Sequence, residues 1–358
     1  MIEVLREVFH AFLPDEDLDS YEELTSGHIN DTFLITTNQQ QKYVFQKINK
    51  GVFPDVPGLI GNKVNISNHL HHKLSNLTKK ERQRRILTFL QTSGGESFYT
   101  DQNGDFWNVT IFIDESQTFE TVTGPEVAYE GGKLFGEFIF LSNDFDSSKL
   151  VEVIPNFHNM YFRFDQFRES LQNASEERLG KAKSYIDRVN ELKKEMLILQ
   201  DLKDSGQIRT RVTHNDTKIS NALFDMEGKG LCVIDTDTIM PGIIHYDFGD
   251  AIRTICNTAA EDEKDLEKVM FNKAFYQAYT KGFLEEIGDA VSEFERSYFP
   301  LAAKTMIFIM ALRFLTDYLN NDIYYKTRYP EHNLIRSMNQ FKLIQSFEEV
   351  MGSRVDGL

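Results

Sequence analysis

The sequence has few cysteines, an excess of negative over positive charge, and no long apolar run. Its two cysteines, Cys232 and Cys256, are too few for a disulfide framework, so we expect a reducing compartment. The 39 Lys and Arg residues stand against 55 Asp and Glu residues, which gives a formal net charge of −16. Because nucleic acids and anionic membranes bind clustered positive charge, we expect neither as the main partner.

Membrane spans and targeting segments are also absent from the sequence pattern. The longest apolar run, Met306 to Leu312, is far too short to cross a bilayer, and Lys304 and Arg313 flank it. We therefore predict a buried helix there. Residues 1–9 have an amphipathic pattern with early acids, unlike a signal peptide. Together these patterns favour a cytoplasmic protein.

The character of the chain changes near residue 115. Before it, short strand-like runs alternate with polar turns, and after it apolar residues recur every three to four positions. We expect strands at 21–24, 33–37, 43–48, 86–90, 97–100 and 107–113. We expect helices within 1–20 and at 62–77, 124–141, 185–202, 266–287 and 290–319. The pattern predicts an α+β fold with two lobes, 1–115 and 116–358, and a cleft near 114–116.

The stretch from Val212 to Arg253 carries the clearest chemical signal. Apolar, strand-like runs at 211–213 and 231–234 lead directly into His214-Asn215-Asp216 and into Asp235. A second pair of runs, joined by Glu227-Gly228-Lys229-Gly230, predicts a β-hairpin over 222–236. Because short buried strands deliver their terminal side chains to one edge, we expect these polar groups to form a metal and phosphate site.

The spacing within this stretch matches that of a phosphoryl-transfer loop. Protein kinases have the pattern H-R-D-x-x-x-x-N followed by a metal-binding Asp. Here Asp216 and Asn221 have the same separation, Lys218 is placed to contact a γ-phosphate, and Asp235 ends the following strand. The alternative interpretation is that Asp216 and Asn221 are ordinary turn residues.

These motifs resemble those of the aminoglycoside phosphotransferase-type kinases, a group with choline and homoserine kinases and a protein-kinase-like fold. The resemblance is carried by THNDTKISNALFD, VIDTDTIMPG and YDFGDAIRT. Within this group they are most similar to the N-acetylhexosamine 1-kinases. The segments SGHINDTF, YVFQKIN and RFLTDYLNNDIYYKTRYPEHNLIR are similar to the same kinases, so the resemblance covers nearly the whole chain.

The resemblance implies roles for individual residues and for small ligands. It implies that Asp216 is the catalytic base, that Asn221 and Asp235 bind Mg²⁺, and that the loop 25–32 covers the nucleotide. The candidate nucleotide contacts are Ser26, Gly27, His28, Asn30, Thr32, Gln46 and Lys47. It also implies ATP and a sugar as ligands, with the anomeric hydroxyl of the sugar attacking the γ-phosphate. The product would be N-acetylglucosamine or N-acetylgalactosamine 1-phosphate. We expect a monomer.

The sequence departs from the protein-kinase pattern at the strand lysine and its partner helix. Gln46 and Lys47 lie on opposite faces of the predicted strand 43–48, so only one can point into the cleft. Lys47 has the right chemistry, whereas Gln46 can have the right place. The helix at 59–77 has no Asp or Glu to pair with a strand lysine, and Asn62 is a weak substitute.

Several further residues have two possible roles. Asp237 is either a second metal ligand or a polar partner within its loop. We expect Asp247 and Asp250 to brace the catalytic loop and Arg253 to pair with one of them. Arg313, Asp317, Tyr318 and Tyr325 are candidates for contact with a sugar, since sugar sites favour planar polar and aromatic side chains, although helix packing explains them equally well.

Two other functions stay open from the sequence alone. The same chemistry could act on an aminoglycoside, choline or homoserine, and the many acids between 225 and 265 suit a cationic substrate. A non-catalytic nucleotide- or sugar-binding pseudokinase is favoured by the missing helix acid. The presence of Asp216, Asn221 and Asp235 argues against a pseudokinase.

Overall fold

The amino-terminal lobe is an antiparallel sheet in the order β1-β2-β3-β5-β4, seen in a computed structural model that describes residues 2–24 and 29–352. Its strands are β1 (Leu18–Glu23), β2 (Asp31–Thr37), β3 (Lys42–Ile48), β4 (Tyr99–Thr100) and β5 (Phe106–Ile111). The turn between β4 and β5 is closed by Asp101, whose carboxylate accepts the backbone N–H groups of Asn103 and Asp105. The other oxygen of Asp101 accepts the indole N–H of the buried Trp107 at 2.9 Å.

Three helices belong to the amino-terminal lobe. They are α1 (Ile2–Phe12), α2 (Val56–Lys73) and α3 (Lys79–Arg85). The buried residues of α1 recur at helical spacing and pack on one face of the sheet, where Phe9 stacks on Phe45. Asp55 caps α2 by accepting the Gly58 N–H, and α2 lies over the other face of the sheet, on the side of the cleft.

The carboxy-terminal lobe is mainly helical and carries two small sheets. Its helices are α4 (Pro125–Ser142), α5 (Met160–Asn173), α6 (Glu176–Met196), α7 (Ile198–Asp204), α8 (Ile244–Ile255), α9 (Lys273–Ile287), α10 (Glu293–Ser297), α11 (Phe299–Leu319) and α12 (His332–Met351). Its strands are β6 (Ser116–Gln117), β7 (Arg211–Thr213), β8 (Ala222–Asp225), β9 (Gly230–Val233) and β10 (Met240–Gly242). β7 pairs with β10, and β8 lies between β6 and β9.

Helix α11 forms the centre of the carboxy-terminal core. Within the described ranges it is the one helix long and apolar enough to cross a membrane, and 83% of its most apolar window is buried inside the fold. Lys304, which is buried on this helix, donates to the carboxylates of Glu195 and Glu348. The buried helix predicted around Met306 is confirmed.

The backbones of α4 and α9 approach each other closely at glycines. A Cβ atom at Gly132 would lie 2.2 Å from the Tyr279 carbonyl oxygen, and one at Gly136 would lie 2.6 Å from that of Phe283. From the other side, a Cβ atom at Gly282 would meet the Tyr129 carbonyl oxygen at 2.2 Å. These contacts leave no space for a side chain, so glycine is required at each position.

The sequence-based fold is confirmed in class and wrong in several elements. The α+β class and the arrangement of a sheet-rich lobe followed by a helical lobe are confirmed. The predicted strand 86–90 is an irregular segment with a single bridge, between Phe89 and Thr110. Helices α3, α5, α8 and α12 were not predicted. The apolar faces of α3, α5 and α12 are short or interrupted by polar residues, whereas α8 has apolar residues at helical spacing that sequence reasoning overlooked. The lobe boundary at 115/116 stays a prediction.

Replacing Gly132 by alanine should lower the free energy of unfolding by about 2–3 kcal/mol, because the new methyl group forces α4 away from α9. The matched control is Gly180→Ala on α6, where a Cβ atom meets nothing within 4 Å. That change should raise the free energy of unfolding by up to about 1 kcal/mol, because alanine favours helix. Urea unfolding of both variants measures this, and destabilisation of equal size at both sites would contradict the close-packing argument.

Candidate active site

The loop 214–221 follows β7, and a buried carboxylate of α8 fixes its first residues. Asp247 accepts the backbone N–H groups of His214 and Asn215, each at 2.8 Å. Asn215 has a φ of 65°, a left-handed conformation that asparagine tolerates better than most residues. Burial raises the pKa of Asp247 to about 6, and the two N–H groups oppose this rise. Asp247 therefore braces the loop, as predicted.

A second carboxylate of α8 holds the next part of the loop. Asp250 accepts the Thr217 backbone N–H at 3.1 Å and pairs with Arg253 at 3.0 Å. Arg253 also contacts Glu261 at 3.1 Å. Burial raises the pKa of Asp250, although the charge of Arg253 opposes this. The expected pairing of Arg253 with a bracing aspartate is confirmed.

His214 joins the loop to the hairpin that carries Asp235. Its Nε2–H donates to the Ile234 carbonyl oxygen at 2.9 Å, and its Nδ1 accepts the Asp216 backbone N–H at 3.3 Å. Phe135 and Phe138 of α4 contact the imidazole ring of His214 in edge-to-face geometry. The imidazole is thus a structural link between the loop and the end of β9. It accepts only the backbone N–H of Asp216, so the Asp216 side chain can face the cleft.

The structure brings Asp216, Lys218 and Asn221 together. Lys218 Nζ lies 3.1 Å from Asp216 Oδ2, and Asn221 Nδ2 donates to the same oxygen at 2.8 Å. Because its amide nitrogen faces Asp216, Asn221 has its carbonyl oxygen available for another ligand. The pKa of Lys218 is raised, since the charges of Asp216 and Asp235 outweigh its burial. The assigned roles of these three residues stay predictions.

Asp235 follows β9 in a left-handed conformation, with φ and ψ both 56°. Asp235 keeps access to solvent, although protein atoms surround its carboxylate. This burial and the charges of Asp237 and Asp216 raise its pKa to about 7, and the positive charges of Lys218 and Lys63 oppose the rise. A carboxylate surrounded by like charges is stabilised by a bound cation.

The donors around Asp235 fit Mg²⁺. Magnesium uses one or two carboxylates, with water and substrate phosphates completing its shell. Asp235 and the free carbonyl oxygen of Asn221 supply hard oxygen donors of this kind. No group of three or more His, Cys, Asp or Glu residues placed to hold a metal by itself occurs within 2–24 and 29–352. The site therefore suits a metal that arrives with a nucleotide.

In the amino-terminal lobe, Gln46 faces the cleft and Lys47 does not. Gln46 Nε2 donates to Asp237 at 3.1 Å, whereas Lys47 pairs with Asp31 at 2.6 Å. Lys47 shares its sheet face with Phe45, which packs on α1. The prediction that Lys47 contacts the nucleotide is therefore wrong, because strand alternation turns its ammonium group away from the cleft.

The carboxylate of Asp237 collects three donors from the amino-terminal lobe. Asn30, Gln46 and Lys63 all donate to it. Of the predicted nucleotide contacts, Asn30 thus reaches the cleft, and Thr32 pairs with Gln46 across the sheet. Ser26, Gly27 and His28 lie outside the described residues. Asp237 acts as a polar partner that joins the two lobes, whereas the sequence predicted either a metal ligand or a polar partner within its own loop.

The helix opposite β3 supplies a lysine where the sequence led us to look for an acid. Lys63 of α2 donates to Gln46 Oε1 at 2.8 Å. Asn62, the substitute we considered, contacts the other lobe instead. It donates to the carbonyl oxygens of Val151 and Ile239 at 2.8 Å each and accepts the Val151 N–H at 3.0 Å. The sequence feature that could have identified Lys63 is a glutamine on the strand combined with a lysine on a helix that has no acid.

Of the predicted acceptor contacts, Arg313 and Tyr325 lie together. The Arg313 guanidinium carbon is 5.6 Å from the Tyr325 ring centroid and 5.3 Å from that of Phe157. The remaining two predicted contacts have other roles. Asp317 is buried and accepts the backbone N–H groups of Tyr324 and Tyr325 and an amide N–H of Asn333. Tyr318 is buried beneath Arg178.

Arg163 and His158, which sequence reasoning missed, join Arg313 next to the loop. Burial and the charge of Arg313 lower the pKa of Arg163 to about 10. Burial and the charges of both arginines hold the pKa of His158 well below its usual range. His158 also lines, with Asn215, a polar cavity of about 260 Å³. Arg163 and Arg313 therefore place positive charge beside the loop, whereas the cavity that His158 lines also contains Glu152, Lys203 and Asp204. Arg163 and His158 come from α5 and the segment before it, a helix that the sequence pattern did not predict.

A family model matches most of the chain, and solved structures of known proteins share its fold. The model of the family described as APH, phosphotransferase enzyme family, matches residues 20–287. An aminoglycoside phosphotransferase from Alicyclobacillus acidocaldarius superposes with a TM-score of 0.64 at 14% identity, covering 99% of this chain and 96% of that one. A choline kinase from Cryptosporidium parvum gives 0.61 at 14% identity, with 99% and 98% covered. The amicoumacin kinase hAmiN, solved with AMP-PNP, Ca²⁺ and Ami, gives 0.61 at 11% identity, with 98% and 96% covered.

Replacing Asp216 by asparagine should lower kcat by about 10²- to 10⁴-fold, because the amide cannot accept the proton of an attacking hydroxyl. The affinity for ADP should change less than about threefold, since Asp216 belongs to the acceptor side of the cleft. Steady-state turnover and calorimetry of ADP binding measure the two effects. Asp165→Asn, at an exposed carboxylate of α5, is the control. Turnover that survives in Asp216→Asn would show that the role is misassigned.

Replacing Asp235 by asparagine should raise the Mg²⁺ concentration needed for half-maximal turnover by about tenfold or more, because a neutral amide is a weaker ligand than a carboxylate. A second readout is the binding of Mn²⁺ in the presence of ADP, followed by electron paramagnetic resonance. Asp225→Asn, in the turn of the same hairpin, is the control. Unchanged Mn²⁺ binding in Asp235→Asn would show that Asp235 is not a metal ligand.

Proposed function

The chain belongs to the phosphotransferase enzyme family, and from this we propose an ATP-dependent kinase that phosphorylates the anomeric C1 hydroxyl of an N-acetylhexosamine. Kinase chemistry is supported by the family match and by the arrangement of Asp216, Asn221 and Asp235 at one rim. The choice of acceptor is supported by the resemblance of the motifs and by the charge of the acceptor side. N-acetylglucosamine and N-acetylgalactosamine are the two acceptors considered.

Positioning and charge neutralisation account for the proposed reaction. Asp216 orients the sugar hydroxyl and accepts its proton, and Lys218 stabilises the negative charge that develops on the γ-phosphate. Asn221 and Asp235 would hold Mg²⁺, which supplies positive charge to the phosphates. With all of these groups present and braced by α8, catalysis is favoured over a pseudokinase that only binds nucleotide.

The observation that carries the acceptor class is the pair of arginines beside the loop. Arg163 donates to Gln166 and to the Phe157 carbonyl oxygen, and Arg313 donates to the Met310 sulfur and lies against aromatic rings. Across 2–24 and 29–352, neither has a carboxylate within 4.0 Å. Two guanidinium groups without counter-charges repel a cation and are well suited to donate to neutral carbonyl and hydroxyl oxygens.

The acids between 225 and 265, which suited a cationic acceptor in the sequence, are engaged elsewhere. Glu261 pairs with Arg253 and Arg336, and Asp262 lies within 4.0 Å of Arg328 and His332. Others form the metal rim, brace the loop or close the hairpin turn. They therefore do not make the acceptor side acidic.

The aromatic side chains of this region also disfavour choline. A quaternary ammonium binds over aromatic faces, but Arg313 already lies against Phe157, Tyr324 and Tyr325. The buried hydroxyl of Tyr325 has no hydrogen-bond partner within the described part of the chain, so a polar ligand that reaches it would satisfy it. Planar donors and an aromatic hydroxyl together suit a sugar that carries an amide.

An acceptor panel tests this proposal. We expect ADP release with N-acetylglucosamine or N-acetylgalactosamine, and none above background with the methyl glycoside, whose C1 oxygen is blocked. Glucosamine should be about 10- to 100-fold poorer in kcat/KM, because its ammonium group is repelled by the arginines at a few ångströms. Phosphorus NMR of the product checks that the phosphate is anomeric.

The remaining members of the panel separate the rival functions. Choline, homoserine and an aminoglycoside serve as cationic acceptors. A preference for any of these over the acetylated sugars would overturn the acceptor class but leave the kinase assignment intact. Binding of ATP without ADP release for every acceptor would favour a pseudokinase.

A further inference from the structure

We propose that Lys63 of α2 is the lysine that the amino-terminal lobe contributes to the phosphates of the nucleotide, in place of a lysine on β3. This inference rests on the proposed ATP-dependent reaction and adds a phosphate-binding residue to it. In protein kinases the corresponding lysine lies on the third strand and pairs with a glutamate of the following helix. Here the chemical types are exchanged, with Gln46 on the strand and Lys63 on the helix.

The exchange preserves the contact between the two elements. Lys63 Nζ donates to Gln46 Oε1 at 2.8 Å, so a neutral acceptor on the strand holds a cation on the helix. Asn108 of β5 donates to the same Gln46 oxygen at 3.3 Å and fixes its orientation. The helix needs no acid at this point, which explains why 59–77 has none.

The ammonium group of Lys63 is buried, so specific partners must hold it in place. Its side chain is 4% exposed, as is that of Asp237, with which it forms an ion pair across the lobes. A buried ammonium is retained only where partners satisfy it. Gln46 and Asp237 accept two of its three N–H groups, and the Phe89 ring centroid lies 5.6 Å from its Nζ. Within the described residues the third N–H group has no hydrogen-bond acceptor, so it can turn to a ligand. Asp237 is two residues from Asp235, so this ammonium lies beside the predicted metal site.

Other basic side chains around the sheet are directed elsewhere. Each of the nearby lysines pairs with a carboxylate other than Asp235 and Asp237: Lys42 with Asp114, Lys47 with Asp31, Lys50 with Asp105 and Lys73 with Asp144. Lys63 is the lysine of this lobe that contacts both the cleft face of β3 and the loop after β9. A nucleotide whose phosphates approach Asp235 would therefore meet Lys63 from the side of the amino-terminal lobe.

Asp237 then has a positioning role. It accepts from Asn30 and Gln46 as well as from Lys63, so it remains paired when the ammonium turns toward a phosphate. The flexible lysine stem allows such a turn without movement of α2. This arrangement places a cation next to the cleft before the nucleotide binds and reduces the reorganisation that binding requires.

Nucleotide binding to the full-length protein tests the assignment. Lys63→Met should weaken ATP and ADP binding by about 10- to 100-fold, as expected for the loss of a charge-assisted hydrogen bond. Adenosine, which has no phosphate, should bind within about twofold of the wild type. The matched control is Lys73→Met on the same helix, whose ammonium pairs with Asp144, and its affinities should not change. Calorimetry with each ligand supplies the comparison.

The exchange variant Gln46→Lys with Lys63→Gln returns the cation to the strand and should recover at least part of the lost ATP affinity. Equal weakening of adenosine and ATP by Lys63→Met would reduce Lys63 to a structural role and overturn the proposal. So would unchanged ATP binding in Lys63→Met, or a selective loss in Lys47→Met. A wild-type protein that binds neither ATP nor ADP would instead remove the proposed kinase function itself.

Discussion

The carboxylate of Asp247 accepts hydrogen bonds from two successive backbone N–H groups, and the position of Asp216 depends on it. Those groups, of His214 and Asn215, belong to a turn with a left-handed residue, which would relax without a buried acceptor. The helix that carries Asp247 is itself fixed on α11, where a Cβ atom at Gly249 would meet the Ala302 carbonyl oxygen at 2.3 Å. The packing of α8 on α11 thus positions the loop through Asp247, with Asp250 holding its next residue.

The local parts of the site could be predicted because their geometry depends on short spacings. His214, Asp216 and Asn221 lie within one loop, and Asp235 ends the adjacent hairpin strand, so the chain itself places them together. The face of β3 that meets the cleft could not be predicted, because polar Gln46 and Lys47 are adjacent and both faces of the strand contain apolar residues. The packing of α1 decides it.

Roles that depend on contacts between distant elements were the ones that sequence reasoning missed. Asp317 looked like a sugar ligand, but its oxygens are taken by the backbone of the following loop and by Asn333. Arg163 lies on a helix whose apolar pattern is weak, and its proximity to Arg313 is visible only in three dimensions. Relatives of 11–14% identity share the fold, while the side chains on these helices set the charge of the acceptor side.

Asn62 gives the molecule a further property. Its amide forms three hydrogen bonds from α2 to two segments of the carboxy-terminal lobe, at Val151 and Ile239. Swinging this helix outward, as switchable kinases do to turn themselves off, would break all three at a cost of about 2–4 kcal/mol. The hydrogen bonds of one amide therefore hold α2, and with it the contact between Lys63 and Gln46, in a fixed position against the carboxy-terminal lobe before any ligand binds.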